Sequence, residues 1–381
     1  MYSEKKLFQY LFLIFFAVVT AYSIMIRASF YDDEGMPRSS DGFFKVIGED
    51  LAGDYALFRL LEQKTPPQEA YRSEKISAFL NKKTHIDGTF FSFASPMKAF
   101  VAVPLLNVPY NNFFETWFLW GLGLFGVAMY SLFPLKKTLF LMFALPAAFL
   151  SFMTGGWGLF AAAAVVLALT LTEDYPKTAG FFAALCAVEP IVFIFIAAVF
   201  LIRHQKKAAS VCIGMGLSLF ILALFRYDTA VFKAAFSSAW RILTEKPCAL
   251  TSFGAALICE GMPVPAALTL HVLSVVGIVF FGVRLFLKQS CSQAVQDAYL
   301  CAALCVISPF SVLGDYGLLY AGIAFLLLDS ERRGNLKGDI LFIFLAFSSI
   351  YIEPFFVKWT GFSVQMLLSF LLLGVSYRRS Y

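Results

Sequence analysis

Residues 178–202 read TAGFFAALCAVEPIVFIFIAAVFLI, an apolar run in which Glu189 is the single ionisable side chain. As a helix rising about 1.5 Å per residue, it could cross about 30 Å of hydrocarbon. Yet Lys177 precedes it and Arg203 follows it, so both ends carry the same kind of flank. Pro190, at the middle, removes a helix hydrogen bond and clashes with the preceding turn. These features predict two half-helices that meet at Glu189-Pro190 and return to the side they left. Broken helices at membrane depth persist only where they line a cavity or are buried in protein. An ionisable group at such a break marks a functional site, or else a partner for a polar group on a neighbouring helix.

The chain on either side has the same character. Of its 381 residues 60% are hydrophobic and 14% charged, with a mean hydropathy of +0.76, whereas soluble domains carry about a quarter charged residues. The 45 phenylalanines suit lipid-facing helices. The net charge of +5 does not call for nucleic acid, because the basic residues sit in short loops between apolar runs. One run extends from Leu7 to Ile26 behind Lys5 and Lys6. It is too long for a signal-peptide core and lacks a small-x-small site, so it reads as an anchored helix. Others begin near Tyr110, Thr138, Gly156, Thr178, Ala208, Pro263, Asp297, Tyr316, Asp339 and Gly361. The expectation is a single integral membrane domain over 1–381, an all-α polytopic bundle of about eleven hydrophobic segments.

Lys and Arg placement orients it, since short cytoplasmic loops are the basic ones. Lys5/Lys6, Lys136/Lys137, Arg203/Lys206/Lys207, Arg284/Lys288, Arg332/Arg333/Lys337 and Arg378/Arg379 form one set. That set and both termini are expected in the cytoplasm, and a bacterial inner membrane is the expected setting. The external surface then comprises 27–109, the Thr154-Gly155-Gly156 turn, the Glu189 apex, 226–262, 308–314 and a stretch near Glu353.

The first external loop is too long for a connector. Within it Ile47, Leu51, Tyr55 and Phe58 have helical spacing, which predicts an amphipathic helix over 43–61 lying at the membrane interface. Asp50 and Asp54 are four apart on that helix and project from one face. A carboxylate held there can act as general base toward an acceptor hydroxyl, or the two are solvated charges on a surface helix. Asp41 and Asp87 share the loop and are open to either reading. Asp315 can be a helix N-cap or a site residue, and Gly155-Gly156 can be a tight turn. Seven cysteines and three histidines (His85, His204, His271) show no metal-ligand spacing, so neither metal nor cofactor is expected. Cys301 and Cys305 read as buried thiols. Cys248 and Cys259 share an external stretch, where an oxidising compartment allows a disulfide or leaves two thiols.

Taken in order, these landmarks resemble glycosyltransferase family 87, multi-spanning enzymes of the GT-C class that use polyprenyl-phosphate-linked sugars. The D-F/L motif, its aromatics, Arg and later Tyr look like Asp50-Leu51, Tyr55, Arg59 and Tyr71. The F-x-Y-P-P stretch and P-L turn look like Phe91-Ser92-Phe93-Ala94-Ser95-Pro96 and Pro104-Leu105, lacking the Tyr and first Pro. The G-Q-N turn is similar to Gly155-Gly156-Trp157 without its Gln. The K-P-Q element is similar to Glu189-Pro190-Ile191, with Glu in place of Lys. Ser252-Phe253 with Gly261-Met262-Pro263 resembles the S-x-x…G-x-P stretch, and His271 falls where Gln is common. Ser308-Pro309 with Asp315-Tyr316 resembles the S-P…D-Y element.

The resemblance implies transfer of a mannose-like hexose or a pentose from a polyprenyl-phosphate donor to an external lipid or glycan, with inversion and Asp50 as base. Asp54 is a possible second carboxylate. Arg59, Tyr71, Lys98, Gly155, Glu189, Pro190, Ser252, His271, Ser308, Asp315 and Tyr316 would line the donor and acceptor cavity. With Glu at the family's Lys position, Lys98, Arg59 or His271 would meet the lipid phosphate. The same departure leaves open a family member without transferase activity. A lipid or solute transporter coupled through Glu189 is the further alternative, although no second broken segment matches the first.

Overall fold

The computed structural model describes residues 48–84, 86, 88–144, 147–288, 290–334 and 362–380, with positions 345, 348, 349, 353 and 360. The expected segments beginning near Leu7 and Asp339, and His85, Asp41 and Asp87, lie outside the described residues. Among the described residues there is no strand.

Four short helices come first: α1 (Glu49–Glu62), α2 (Pro67–Ala70), α3 (Ser73–Thr84) and α4 (Pro96–Ala102). They are followed by α5 (Tyr110–Leu132), α6 (Leu135–Ala144), α7 (Ala147–Thr154) and α8 (Gly158–Thr170). The quoted run forms α9 (Pro176–Leu185) and α10 (Pro190–Ile202). Then come α11 (Lys206–Glu245), α12 (Phe253–Cys259), α13 (Val264–Leu287), α14 (Gln293–Ile307), α15 (Gly317–Arg333) and α16 (Val364–Arg379). Helix starts are fixed locally. Ser95, Ser252, Ser292 and Ser363 each accept a backbone N–H of the first turn. Prolines open α2, α4, α9 and α10, where a missing N–H costs nothing.

Among the described residues three helices, α5, α11 and α13, are long and apolar enough to cross a membrane unaided. They present large apolar side chains outward, such as Trp120, Phe225 and Leu273, as a lipid-facing surface requires. The other apolar segments are shorter. From Ala294 to Ile307 every residue of α14 is buried, and α15 is buried almost throughout. A helix apolar on all sides is core, and protein rather than lipid surrounds these two. Among the described residues, then, three of the expected segments appear as membrane-length helices. The quoted run is divided into α9 and α10.

The break in the quoted run falls at the expected residues. A short 3-10 turn, Cys186–Val188, ends α9, and extended backbone at Glu189 precedes Pro190. Both limbs pack along the first half of α11: Gly180 lies against Ala208 and Cys212, Phe193 against Gly216, while Ala187 clusters with Ala223. The apex thus stands farther along α11 than either end, which is a re-entrant hairpin.

Described members of the short-loop basic set lie at the helix ends remote from the apex. Lys137 pairs with Glu331, Arg203 with Asp297 at 2.6 Å, and Arg379 with Asp329 at 3.6 Å, while Lys288 Nζ donates to the Ser380 carbonyl at 2.5 Å.

Two expectations change. The helix placed at the interface, α1, is buried: Leu51, Ala52, Ala56, Leu57 and Phe58 are fully covered. It packs against α3, α4, α5 and α7, so its apolar residues meet protein rather than headgroups. The second loop, 226–262, is largely helical. α11 continues to Glu245 through a kink at Asp228 (φ 62°, ψ 163°), where the Asp228 carboxylate accepts the Thr229 N–H.

Candidate active site

The hairpin apex, α1, the 91–98 strap, the turn before α8 and the turn before α15 enclose a cavity of about 630 Å³. Four carboxylates line it (Asp50, Asp54, Glu189 and Asp315), and Lys98 is the one cation among its described lining residues. Pro190, Ser308 and Tyr316 also line it.

Lys98 is held from three directions. Its ammonium pairs with Glu189 and lies 5.3 Å from the centre of the Trp157 ring. Ser95 accepts the Lys98 N–H at 3.3 Å and donates to the Val188 carbonyl at 2.7 Å, which ties α4 to the apex. Burial acts to lower the Lys98 pKa, but Glu189, Asp54 and Asp315 hold it above the usual lysine range, so the cation persists.

Asp54 has both oxygens occupied, accepting Ser92 Oγ at 2.6 Å and Trp157 Nε1 at 3.1 Å. Burial raises its pKa, against the opposing pull of Lys98 and those two hydrogen bonds. Asp315 Oδ2 accepts the Val312 N–H at 3.0 Å. Burial and the neighbouring Glu189 push the Asp315 carboxyl up to about 7, opposed by Lys98. Asp50 is in the first turn of α1 and half-buried in the cavity wall.

The strap follows from α1. A Cβ at Gly53 would stand 2.4 Å from the Phe91 carbonyl oxygen, so only glycine admits this approach. Ser238 Oγ donates to the Ser92 carbonyl at 3.1 Å from the far side. Gly155 plays a matching part at φ +71°, with Leu51 Cβ 2.6 Å from where its own Cβ would be. Gly155→Ala combines a left-handed backbone with overpacking, each costing about 1–3 kcal/mol. We expect a clear loss of thermal stability in detergent, and an unchanged melting temperature would contradict this packing.

Five residues expected in the cavity stand behind its lining. Arg59 Nη1 donates to the Leu106 carbonyl at 2.5 Å, and Tyr71 Oη to the Ala94 carbonyl at 2.9 Å, which braces the strap. Gly155 sets the turn whose neighbours Gly156 and Trp157 reach the cavity. Ser252 Oγ donates to the Pro309 carbonyl at 2.7 Å. His271 Nε2 lies 3.2 Å from the Ile307 carbonyl. Of the three candidate cations, then, only Lys98 lines the cavity. Ser92, Ser95 and Trp157 organise the site without having been singled out. Their signal was their position inside the two degenerate motif stretches.

Apolar helices surrounding a buried, charged cavity at the end remote from the basic loops define a membrane protein with a built site. The chain belongs to glycosyltransferase family 87, whose profile matches residues 95–309, more than half of its length. It is a membrane glycosyltransferase. The matched stretch includes Lys98, Glu189, Pro190, Ser252, His271 and Ser308, while Asp50, Asp54, Asp315 and Tyr316 flank it. No curated protein and no solved structure matches the chain.

Proposed function

We propose that this glycosyltransferase moves a sugar from a polyprenyl-phosphate donor to an external lipid or glycan acceptor, with inversion and with Asp50 as base. The observation that carries the reading is the joint presence of Asp50 and Lys98 in one cavity with an apolar side. Ile194, Leu217, Phe220 and Phe236 line the cavity and are also exposed on the outer surface. A lipid chain can lie across that mouth while its phosphate meets Lys98.

The chemistry needs one base. The acceptor oxygen bonds to the anomeric carbon as the carbon–oxygen bond to phosphate breaks. Asp50 takes the hydroxyl proton, and the lipid phosphate leaves with the electron pair. That leaving group is a stable anion and needs no general acid, unlike the alcohol expelled by a glycosidase, which works with two carboxylates. Asp50 is given this role by its place in the cavity wall and by the resemblance of Asp50-Leu51 to the family's D-F/L motif. Lys98 offsets the charge of the phosphate, and Glu189 keeps the lysine chain in place.

The external, periplasmic placement of the cavity in a bacterial inner membrane belongs to the same proposal. It is supported by the basic residues at the opposite end and by the Cys248–Cys259 disulfide, a bond of oxidising compartments. Purified protein incubated with a panel of polyprenyl-phosphate sugars and acceptor lipids should yield a glycosylated product by mass spectrometry. No product from any member of the panel would refute the donor assignment.

A pH dependence follows from Asp315. Below about 7 its carboxyl is mostly neutral, and above that it adds a negative charge near Lys98. The donor phosphodiester is anionic throughout, so donor KM should rise several-fold between about pH 6 and pH 8. Asp315→Asn should flatten that rise, and a KM profile identical to that of the native protein would contradict the assignment.

A further inference from the structure

The stretch leaving α11 is closed by the Cys248–Cys259 disulfide. Between the cysteines, Thr251 N–H and Oγ1 donate to the Ser311 carbonyl at 2.8 and 3.1 Å, and Ser252 Oγ donates to the Pro309 carbonyl at 2.7 Å. Tyr316 Oη returns a bond to the Thr251 carbonyl at 3.0 Å. Beneath them Leu250 and Ala255 are buried, with Phe91, Phe93, Phe310 and Val312 packed against the cluster they form. Those four residues line the cavity, as do Ser311, Asp315 and Tyr316, whereas no residue between the cysteines does. The cross-linked loop therefore grips two cavity walls from behind.

We propose that the Cys248–Cys259 disulfide is a positioning clamp: it holds Thr251 and Ser252 against the 309–311 carbonyls, and opening it lowers turnover while the bundle stays folded. For its activity readout this rests on the sugar-transfer reading above. Cys248 is exposed, and the other five cysteines are buried, so a dithiol reductant has one accessible target. The reductant thiolate attacks one sulfur, the S–S bond breaks, and two cysteine thiols form as the reductant closes to its own disulfide.

The test compares oxidised, dithiothreitol-reduced and reoxidised full-length protein in detergent, with Cys248→Ser/Cys259→Ser as the permanently open form. Displacing a cavity wall by about an ångström can cost up to 10²-fold in rate. We expect kcat to fall by about ten-fold or more on reduction while donor KM, set by Lys98 and the apolar mouth, changes little. Reoxidation should restore kcat in the native protein but not in the double variant. Amide hydrogen exchange at 310–316 should quicken on reduction, with α5 and α13 unchanged. A reduced protein with native kcat, or quickened exchange confined to 247–262, would overturn the clamp. If neither state transfers sugar but exchange at 310–316 still responds to reduction, the clamp stands and the donor reading fails.

Discussion

Asp50→Asn should lower sugar transfer by about 10²–10⁴-fold, the usual contribution of a positioned base, with little change in melting temperature. The amide matches the carboxylate in shape but cannot accept the acceptor proton. Asp50 is half-buried at the cavity wall rather than sunk in the core, so the substitution leaves packing intact. The contrast with Asp54→Asn makes the result diagnostic. Asp54 receives two donors, Ser92 Oγ and Trp157 Nε1, and an amide oxygen replaces only one of its two acceptors. Loss of one buried hydrogen bond costs about 1–3 kcal/mol, so Asp54→Asn should destabilise the protein whatever it does to rate. Transfer by purified Asp50→Asn protein within ten-fold of the native rate would remove Asp50 from the mechanism.

The second large effect is at the buried pair. Lys98→Met removes the cation and leaves Glu189 facing Asp54 and Asp315 with no counter-charge from the cavity lining. Breaking a buried pair costs about 3–5 kcal/mol. The lower end applies here because the Glu189 side chain is 30% exposed, against 10% for Lys98. Lys98→Met/Glu189→Gln should regain most of that stability, since no uncompensated charge remains. It should not regain transfer, because the phosphate still lacks its cation. Thermal unfolding of the two variants, with donor binding measured alongside, separates these roles. A double variant that binds donor at native affinity would exclude Lys98 from phosphate recognition.

The legible parts of this protein are those governed by local rules. Pro190 between two basic flanks is enough to break a helix and fold it back, and apolar composition is enough to fix the all-α membrane class. What stayed hidden depends on partners remote in sequence. The spacing of Leu51, Tyr55 and Phe58 predicts a two-faced α1, and the helix also carries Asp54, Arg59 and Glu62. In the fold each is met, by Ser92 and Trp157, by the Leu106 carbonyl, and by Arg226 with Tyr227, so the helix can be buried. The 226–262 stretch, placed as an external loop by the topology, opens with the polar Arg226-Tyr227-Asp228. Two of these three polar groups are spent on Glu62, and the third accepts the Thr229 N–H at the kink. That Lys98 lines the cavity while Arg59 and His271 stand behind it depends on contacts remote in sequence, which spacing cannot supply.

The pairing of Lys98 with Glu189 also bears on biogenesis. Chains are made from the N-terminus and their parts fold in that order, so α4 exists before the ribosome reaches the hairpin. The carboxylate emerges within an apolar run after its counter-charge has been synthesised, and it need not wait unpaired in hydrocarbon, where such a group is costly. A circular permutant that placed 176–202 ahead of α4 would reverse that sequence of events, with the same final contacts but a more hazardous route to them.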